Sequence, residues 1–254
     1  MSVRPAVLVI AATDSSGGAG LVRDVRVLTD FSIDALCAIT AVTAQSDSRV
    51  AAVHHVPPEI IRAQIASAFA TRSVDAIKIG MLGTRATVEA VVASLPVDAS
   101  IPIVLDPVLV SSSGGVLLDA AGRSTMRDRL FPRVMLITPN IPEAAALLDE
   151  DIAIGEGALV EQAKRLLALG PRAVLIKGGH TEGEDAVDLL VCVDHDLRRI
   201  ASVRLDATSR GTGCALASAI SAGLSQGMPL PEACERAKSY VAEEMLSRRR
   251  LTQH

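Results

Sequence analysis

The chain has 254 residues, 49% hydrophobic, 21% charged and 2% aromatic, with no Trp and a formal net charge of −4. That is the composition of an ordinary soluble globular protein with ample core material; it argues against a nucleic-acid binder, which needs a basic surface or aromatic stacking platforms. No apolar run reaches the ~18 residues of a membrane span, Asp14 breaks the first apolar run too early for a signal peptide, and Cys37, Cys192, Cys214 and Cys234 lack C-x-x-C spacing, as expected of reduced thiols in a cytoplasmic protein.

Short aliphatic runs alternate with longer helical patterns along most of the chain. Val7–Ala12, Ala35–Thr40, Ala76–Ile79, Ile103–Leu105, Val134–Ile137 and Ala173–Ile176 read as buried strands. Helices are expected near 20–30, 58–70, 84–94, 119–130, 142–149 and 157–169. After residue 185 come two strands, Val187–Val193 and Ile200–Leu205, with a hairpin-like connection at Asp194-His195-Asp196, then helices near 214–226 and 231–248. The alternation predicts one α/β domain over 1–254, a mostly parallel sheet with helices on both faces. Ligands of such sheets lie outside the carboxyl ends of the strands, where many of the polar residues fall.

The first strand leads into Thr13-Asp14-Ser15-Ser16-Gly17-Gly18-Ala19-Gly20, which is neither G-x-G-x-x-G nor a Walker A sequence. The glycines suit either a flexible turn or a ligand lying against backbone. In the helix beyond, Leu21, Val25 and Leu28 predict the buried stripe, with Arg23, Arg26 and Asp30 opposite. Asp24 falls on the core-facing edge, where a carboxylate needs a partner: a ligand hydroxyl or amine, a helix N-terminus, or an arginine.

Gln45 offers a donor and an acceptor suited to a heterocycle edge, or simply faces solvent. Met81, after Lys78-Ile79-Gly80, and Val108, after Asp106-Pro107, wall a slot for a flat ring or pack in the core. Asp106 ends an apolar strand just before proline, placed to reach a cation. Glu143 follows Asn140-Ile141-Pro142 at a helix start, as dipole stabilisation or as a Mg²⁺ contact through water. Lys177, leading to Gly178-Gly179-His180, suits a nucleotide phosphate or snorkels at its strand end.

Arg210-Gly211-Thr212-Gly213-Cys214 opens a helix of small residues. Two glycines there let backbone N–H groups approach an anion at a helix N-terminus. A thiol at that place is expected to lose its proton more easily than a free one, unless it is simply a buried cysteine.

In their order along the chain these segments resemble the hydroxymethylpyrimidine/phosphomethylpyrimidine kinases of thiamine biosynthesis, a branch of the ribokinase-like superfamily. The resemblance covers residues ~6 to 245. It implies a three-layer αβα fold, a homodimer, and transfer of the γ-phosphoryl group of ATP, with Mg²⁺, to 4-amino-5-hydroxymethyl-2-methylpyrimidine and then to its monophosphate. Carried over by position, Asp24, Gln45, Met81 and Val108, with Gly20, contact the pyrimidine. Asp106 and Glu143 serve the metal. Asn140, Lys177, Thr212 and Arg210 serve ATP. Gly211, Gly213, Lys177 and Cys214 form the catalytic corner, with Cys214 accepting the hydroxymethyl proton. Three features depart from the pattern: Arg210 stands where members commonly carry His, Ser46-Asp47 stands where Asn-Thr is usual, and the Gly-rich C-terminal segment is replaced by Arg248-Arg249-Arg250-Leu251-Thr252-Gln253-His254. Two other readings stay open. One is a pyridoxal or pyridoxine kinase of the same superfamily; the other is a pyrimidine-binding sensor with weak catalysis, motivated by Arg210 and the altered C-terminus.

Overall fold

A computed structural model describes residues 4–46, 49–97, 100–111, 114–178, 185–193, 197–204 and 210–252, the side chains of 249–252 excepted. In these residues nine strands form one sheet: β1 (Ala6–Asp14), β2 (Asp34–Gln45), β3 (Val50–His55), β4 (Ala76–Ile79), β5 (Ile103–Leu105), β6 (Leu136–Ile137), β7 (Ala173–Ile176), β8 (Asp185–Cys192) and β9 (Arg198–Val203). The helices are α1 (Gly20–Asp30), α2 (Pro58–Thr71), α3 (Arg85–Ser94), α4 (Ala120–Thr125), α5 (Ile141–Leu148), α6 (Glu156–Leu167), α7 (Thr212–Ser225) and α8 (Leu230–Thr252). The spatial order of strands is β3-β2-β1-β4-β5-β6-β7-β8-β9. The six from β2 to β7 run parallel; β3, β8 and β9 are antiparallel additions at the two edges.

The parallel strands are apolar on both faces because helices cover both. Along β1, Leu8 and Ile10 pack toward α2, α3, α5 and α6, while Val7, Val9 and Ala11 pack toward α1, α7 and α8. The same alternation places Ile77 and Ile79 of β4 in the first layer and Ala76 in the second. Lys78, between Ile77 and Ile79, therefore points into the α1–α7 layer. This is the three-layer αβα architecture.

The chain direction reverses across the sheet between β1 and β4, the switch point at which open α/β sheets form a crevice. Asp14, Gly80, Asp106, Thr138 and Lys177 all lie at or just beyond the carboxyl ends of their strands.

Several expectations change. β3 was not foreseen: Val-Ala-Ala-Val-His-His has no continuous apolar run, and as an edge strand most of its side chains are exposed. It pairs with the far half of β2, which extends that strand to Gln45. The expected helix near 119–130 is a short α4 followed by a π turn at Met126–Leu130 and a 3₁₀ turn at Phe131–Arg133 that contains Pro132. The buried face of α1 carries Arg23, Asp24, Val27 and Leu28, so Arg23 is not on the exposed side. The cause lies in α8, which packs along α7 and reaches α1 by long side chains: Arg23 pairs with its Glu244, and Tyr240 Oη donates to Asp30 Oδ2. The expected connection at 194–196, residue 205, Asp47 and Gly179-His180 lie outside the described residues.

β8 passes so close to the exit of β7 that a Cβ on Gly178 would stand 1.8 Å from the Val187 carbonyl oxygen. Gly178→Ala is expected to destabilise the protein by about 1–3 kcal/mol through forced backbone movement, read as a lower midpoint in urea unfolding.

Candidate active site

The crevice is built from the exits of β1, β4, β5, β6 and β7 and the starts of α5 and α7. Lys177 leaves β7 with its Nζ 2.8 Å from Asp106 Oδ1 and 3.7 Å from Glu143 Oε2. Thr138 Oγ1 donates to the same Asp106 oxygen at 3.4 Å. Glu143 is fixed by a capping box: its N–H donates to Asn140 Oδ1 at 2.7 Å, and Asn140 N–H donates to Glu143 Oε2 at 2.8 Å. Burial would pull the Lys177 ammonium down, but Asp106 and then Glu143 hold it above its ordinary range. Burial raises Glu143, against the pull of Lys177.

The turn before α7 closes this corner. Gly211 is left-handed, φ +75°, and caps the helix without a side chain. A Cβ on Gly213 would lie 3.1 Å from Lys177 Nζ and 3.5 Å from Asp106 Oδ2. The first turn of α7 thus closely faces the Lys177–Asp106 pair. Its N–H groups at the positive end of the helix, together with the ammonium, make an anion-binding concavity. Thr212 and Cys214 are half-buried there.

Cys214 departs from the expected thiol. Burial pushes it up to about 11; Asp24 and Asp106 add to this, while Lys78 and the Gly20 N–H oppose it. The helix terminus does not win against desolvation, so the resting thiol keeps its proton at neutral pH.

Asp24 is a second correction. It is fully buried, with Oδ2 2.8 Å from Lys78 Nζ and Oδ1 accepting from Ser218 Oγ at 2.8 Å. Both oxygens are engaged inside the protein, so the carboxylate does not line the crevice. Lys78 is likewise fully buried; burial would lower it, but Asp24, Cys214 and Asp106 hold it above its ordinary range. Lys78 and Ser218 were not singled out in the sequence. The signal for Lys78 was there: a charge inside a four-residue apolar strand needs a counter-charge, and Asp24 needed one too.

Arg210 differs from the expected phosphate ligand. Its Nη2 is 2.8 Å from Asp14 Oδ2, and its Nη1 donates to Ser16 Oγ at 3.4 Å. Asp14 in turn accepts from Ser16 N at 2.9 Å and Ala19 N at 3.0 Å, shaping the loop before α1. Gly20, φ +60°, closes that loop where a Cβ would meet the Ala12 carbonyl oxygen. Gln45, Met81 and Val108 are all part-exposed on neighbouring strand exits. Gln45 Oε1 accepts from Thr43 Oγ1 at 3.2 Å, and the Met81 carbonyl from Thr40 Oγ1 at 2.6 Å. Behind Lys177, the Gly178 N–H donates to Asp188 Oδ1 at 2.9 Å, and Lys238 of α8 pairs with the same oxygen at 2.8 Å.

The phosphomethylpyrimidine kinase family matches residues 14–254. The chain belongs to that family. A hydroxymethylpyrimidine/phosphomethylpyrimidine kinase of Rhizobium meliloti is 39% identical over 235 residues, covering 92% of this chain and 88% of the relative. A bifunctional thiamine-biosynthesis protein of Geobacter sulfurreducens is 40% identical over 94% of the chain, which spans about half (48%) of that longer relative. The crystal structure of a phosphomethylpyrimidine kinase from Clostridium difficile superposes with a TM-score of 0.83 at 34% identity, covering 95% of this chain and 99% of that one. A Staphylococcus aureus pyridoxal kinase in complex with AMP-PCP reaches 0.87 at 26% identity, covering 96% and 89%. Pyridoxal kinases thus share the fold, while sequence identity sets the chain with the pyrimidine kinases. No helix among the described residues is long and apolar enough to cross a membrane.

Lys78→Met is expected to cost about 3–5 kcal/mol by leaving Asp24 charged and unpaired in the core, whereas the double change with Asp24→Leu recovers most of that loss. Urea melts of the two variants check this.

Proposed function

We propose that this member of the family transfers the γ-phosphoryl group of ATP to 4-amino-5-hydroxymethyl-2-methylpyrimidine and then to its monophosphate, with the reaction centred between Lys177 and the first turn of α7. It is an ATP-dependent kinase of thiamine biosynthesis. The observation that carries the siting is the approach of Gly213 to the Lys177–Asp106 pair. Phosphoryl transfer asks a protein chiefly for alignment and charge neutralisation, and this corner offers a part-buried cation, backbone donors and two carboxylates within a few ångströms.

In this reading the N–H groups of 211–214 and Lys177 neutralise charge on the transferred group. Among the described residues no cluster of three metal-ligating side chains exists. The donor set nonetheless fits Mg²⁺, which takes one or two carboxylates and completes its shell with phosphate oxygens and water. Asp106 and Glu143 would hold it, and the ion would supply charge neutralisation to the nucleotide phosphates. Asn140 holds Glu143 through the capping box. Gln45 reads the ring edge, and Met81 and Val108 wall the slot. Asp24 supports the site from below through Lys78. The homodimer that the resemblance implies is carried forward as part of this proposal, for light scattering to check.

Cys214 receives the hydroxymethyl proton when it is a thiolate. Because its thiol lies near 11, that form is scarce at neutral pH and grows as pH rises. Turnover is therefore expected to climb about tenfold per pH unit from 7.5 to 10 and to flatten in Cys214→Ala; a wild-type profile that is flat over this range removes the base role. Lys177→Ala is expected to lower kcat by about 10²–10³. ATP-coupled product analysis with hydroxymethylpyrimidine, scoring mono- and diphosphate separately, tests the whole reading, and pyridoxal in parallel tests the competing one.

A further inference from the structure

Two loops that approach each other across the crevice are joined by one charged side chain. The loop after β1 carries Asp14 to Ala19; the turn before α7 carries Arg210 to Gly213. Their backbones touch, since a Cβ on Gly211 would lie 2.2 Å from the Gly18 carbonyl oxygen. Backbone contact of that kind excludes side chains but supplies little attraction. Attraction comes from Arg210, which reaches Asp14 and Ser16 with two different nitrogens. The pair is enclosed, with side-chain exposures of 13% and 3%, so it is weakly screened. Asp14 passes the constraint on, because the same carboxylate holds the N–H groups of Ser16 and Ala19.

We propose that Arg210 and Asp14 form a latch that sets the alignment of the loop after β1 against the turn that opens α7, which makes Arg210 a positioning residue rather than a ligand of the nucleotide. The inference rests on the kinase reading for its kinetic consequence but not for its structural one. Arginine suits the task because its planar fork addresses two acceptors at once and its charge does not vary with pH. Its own charge is met by Asp14, so little is left to direct at phosphate. Loss of the latch leaves the anion-binding turn intact but lets the attacking hydroxyl drift relative to it. Misplacement of about 1 Å costs about 10² in rate.

The test combines Arg210→Ala, Asp14→Ala and the double variant, with amide-exchange protection of residues 15–20 as a readout independent of activity. Each single change is expected to lower kcat about 30- to 100-fold, to leave KM for ATP within about threefold, and to reduce protection of 15–20. The double variant is expected to be no worse than the worse single, and Arg210→Lys to recover part of kcat by keeping one bond. A rise in KM for ATP of tenfold or more with kcat retained, losses that multiply in the double variant, or unchanged protection each overturn the latch. If wild-type protein phosphorylates no pyrimidine, the kinase reading falls, and the exchange arm alone decides the latch. Should the alanine variants unfold, Asp14→Asn with Arg210→Gln keeps a neutral bond and carries the same readouts, with kcat expected about threefold to thirtyfold below wild type and KM for ATP within about threefold; wild-type kcat with unchanged protection, or a tenfold rise in KM for ATP, overturns the latch.

Discussion

An ammonium and a carboxylate buried together beneath the crevice hold its parts in place. Lys78 comes from the centre of the sheet, Asp24 from α1, and Ser218, which donates to Asp24, from α7. Three elements, the sheet and two helices of one covering layer, thus meet at one charge pair with no exposed surface. Such a pair offers little net stability over apolar packing, because desolvating both charges offsets their attraction. What it supplies is direction. An apolar contact between sheet and helix tolerates sliding, whereas a 2.8 Å bond with both carboxylate oxygens engaged does not. α7 is thereby fixed against β4, and its first turn is the one that faces Lys177.

Above that pair the crevice is organised by alternating charge. Asp106 and Glu143 flank Lys177, Asp14 meets Arg210, and Asp188 meets Lys238. Among the described residues, Lys177, Arg210 and Lys238 are each matched by a carboxylate before any ligand arrives. An incoming anion must share Lys177 with Asp106, and a divalent cation would relieve that competition by taking up the carboxylate. The elevated Cys214 thiol follows from the same arrangement: carboxylates and burial outweigh Lys78 and the Gly20 N–H.

Periodicity made most of the scaffold legible. The six parallel strands are aliphatic runs ending in polar residues, and Asp106, Glu143, Lys177 and the 211–214 turn, to which the resemblance in motif order points, lie together at their exits. Three things escaped. β3 was invisible because an edge strand need not be apolar. The buried side of α1 was misjudged because hydrophobicity alone marks one stripe, and α8 reaches by long side chains to a flank that carries Arg23. The partner of Arg210 could not be read because an ion pair across 196 positions leaves no local trace, and Lys78 and Asp24, 54 positions apart, each show the need for a counter-charge but not that they meet. The raised thiol was missed for a related reason: a helix start is a local feature, but desolvation is set by everything packed around it.

The contact between Gly211 and Gly18 bears on how such a site can vary. A Cβ on Gly211 would strike the Gly18 carbonyl oxygen, so Gly211 cannot accept even a methyl group without parting the loops, whereas a Cβ on Gly18 would meet only ordinary contacts. Variation at this contact is therefore blocked on one side of it only. Arg210 stands one residue outside the contact and joins the same two loops through its side chain, so a change there alters their attraction without forcing the backbones apart.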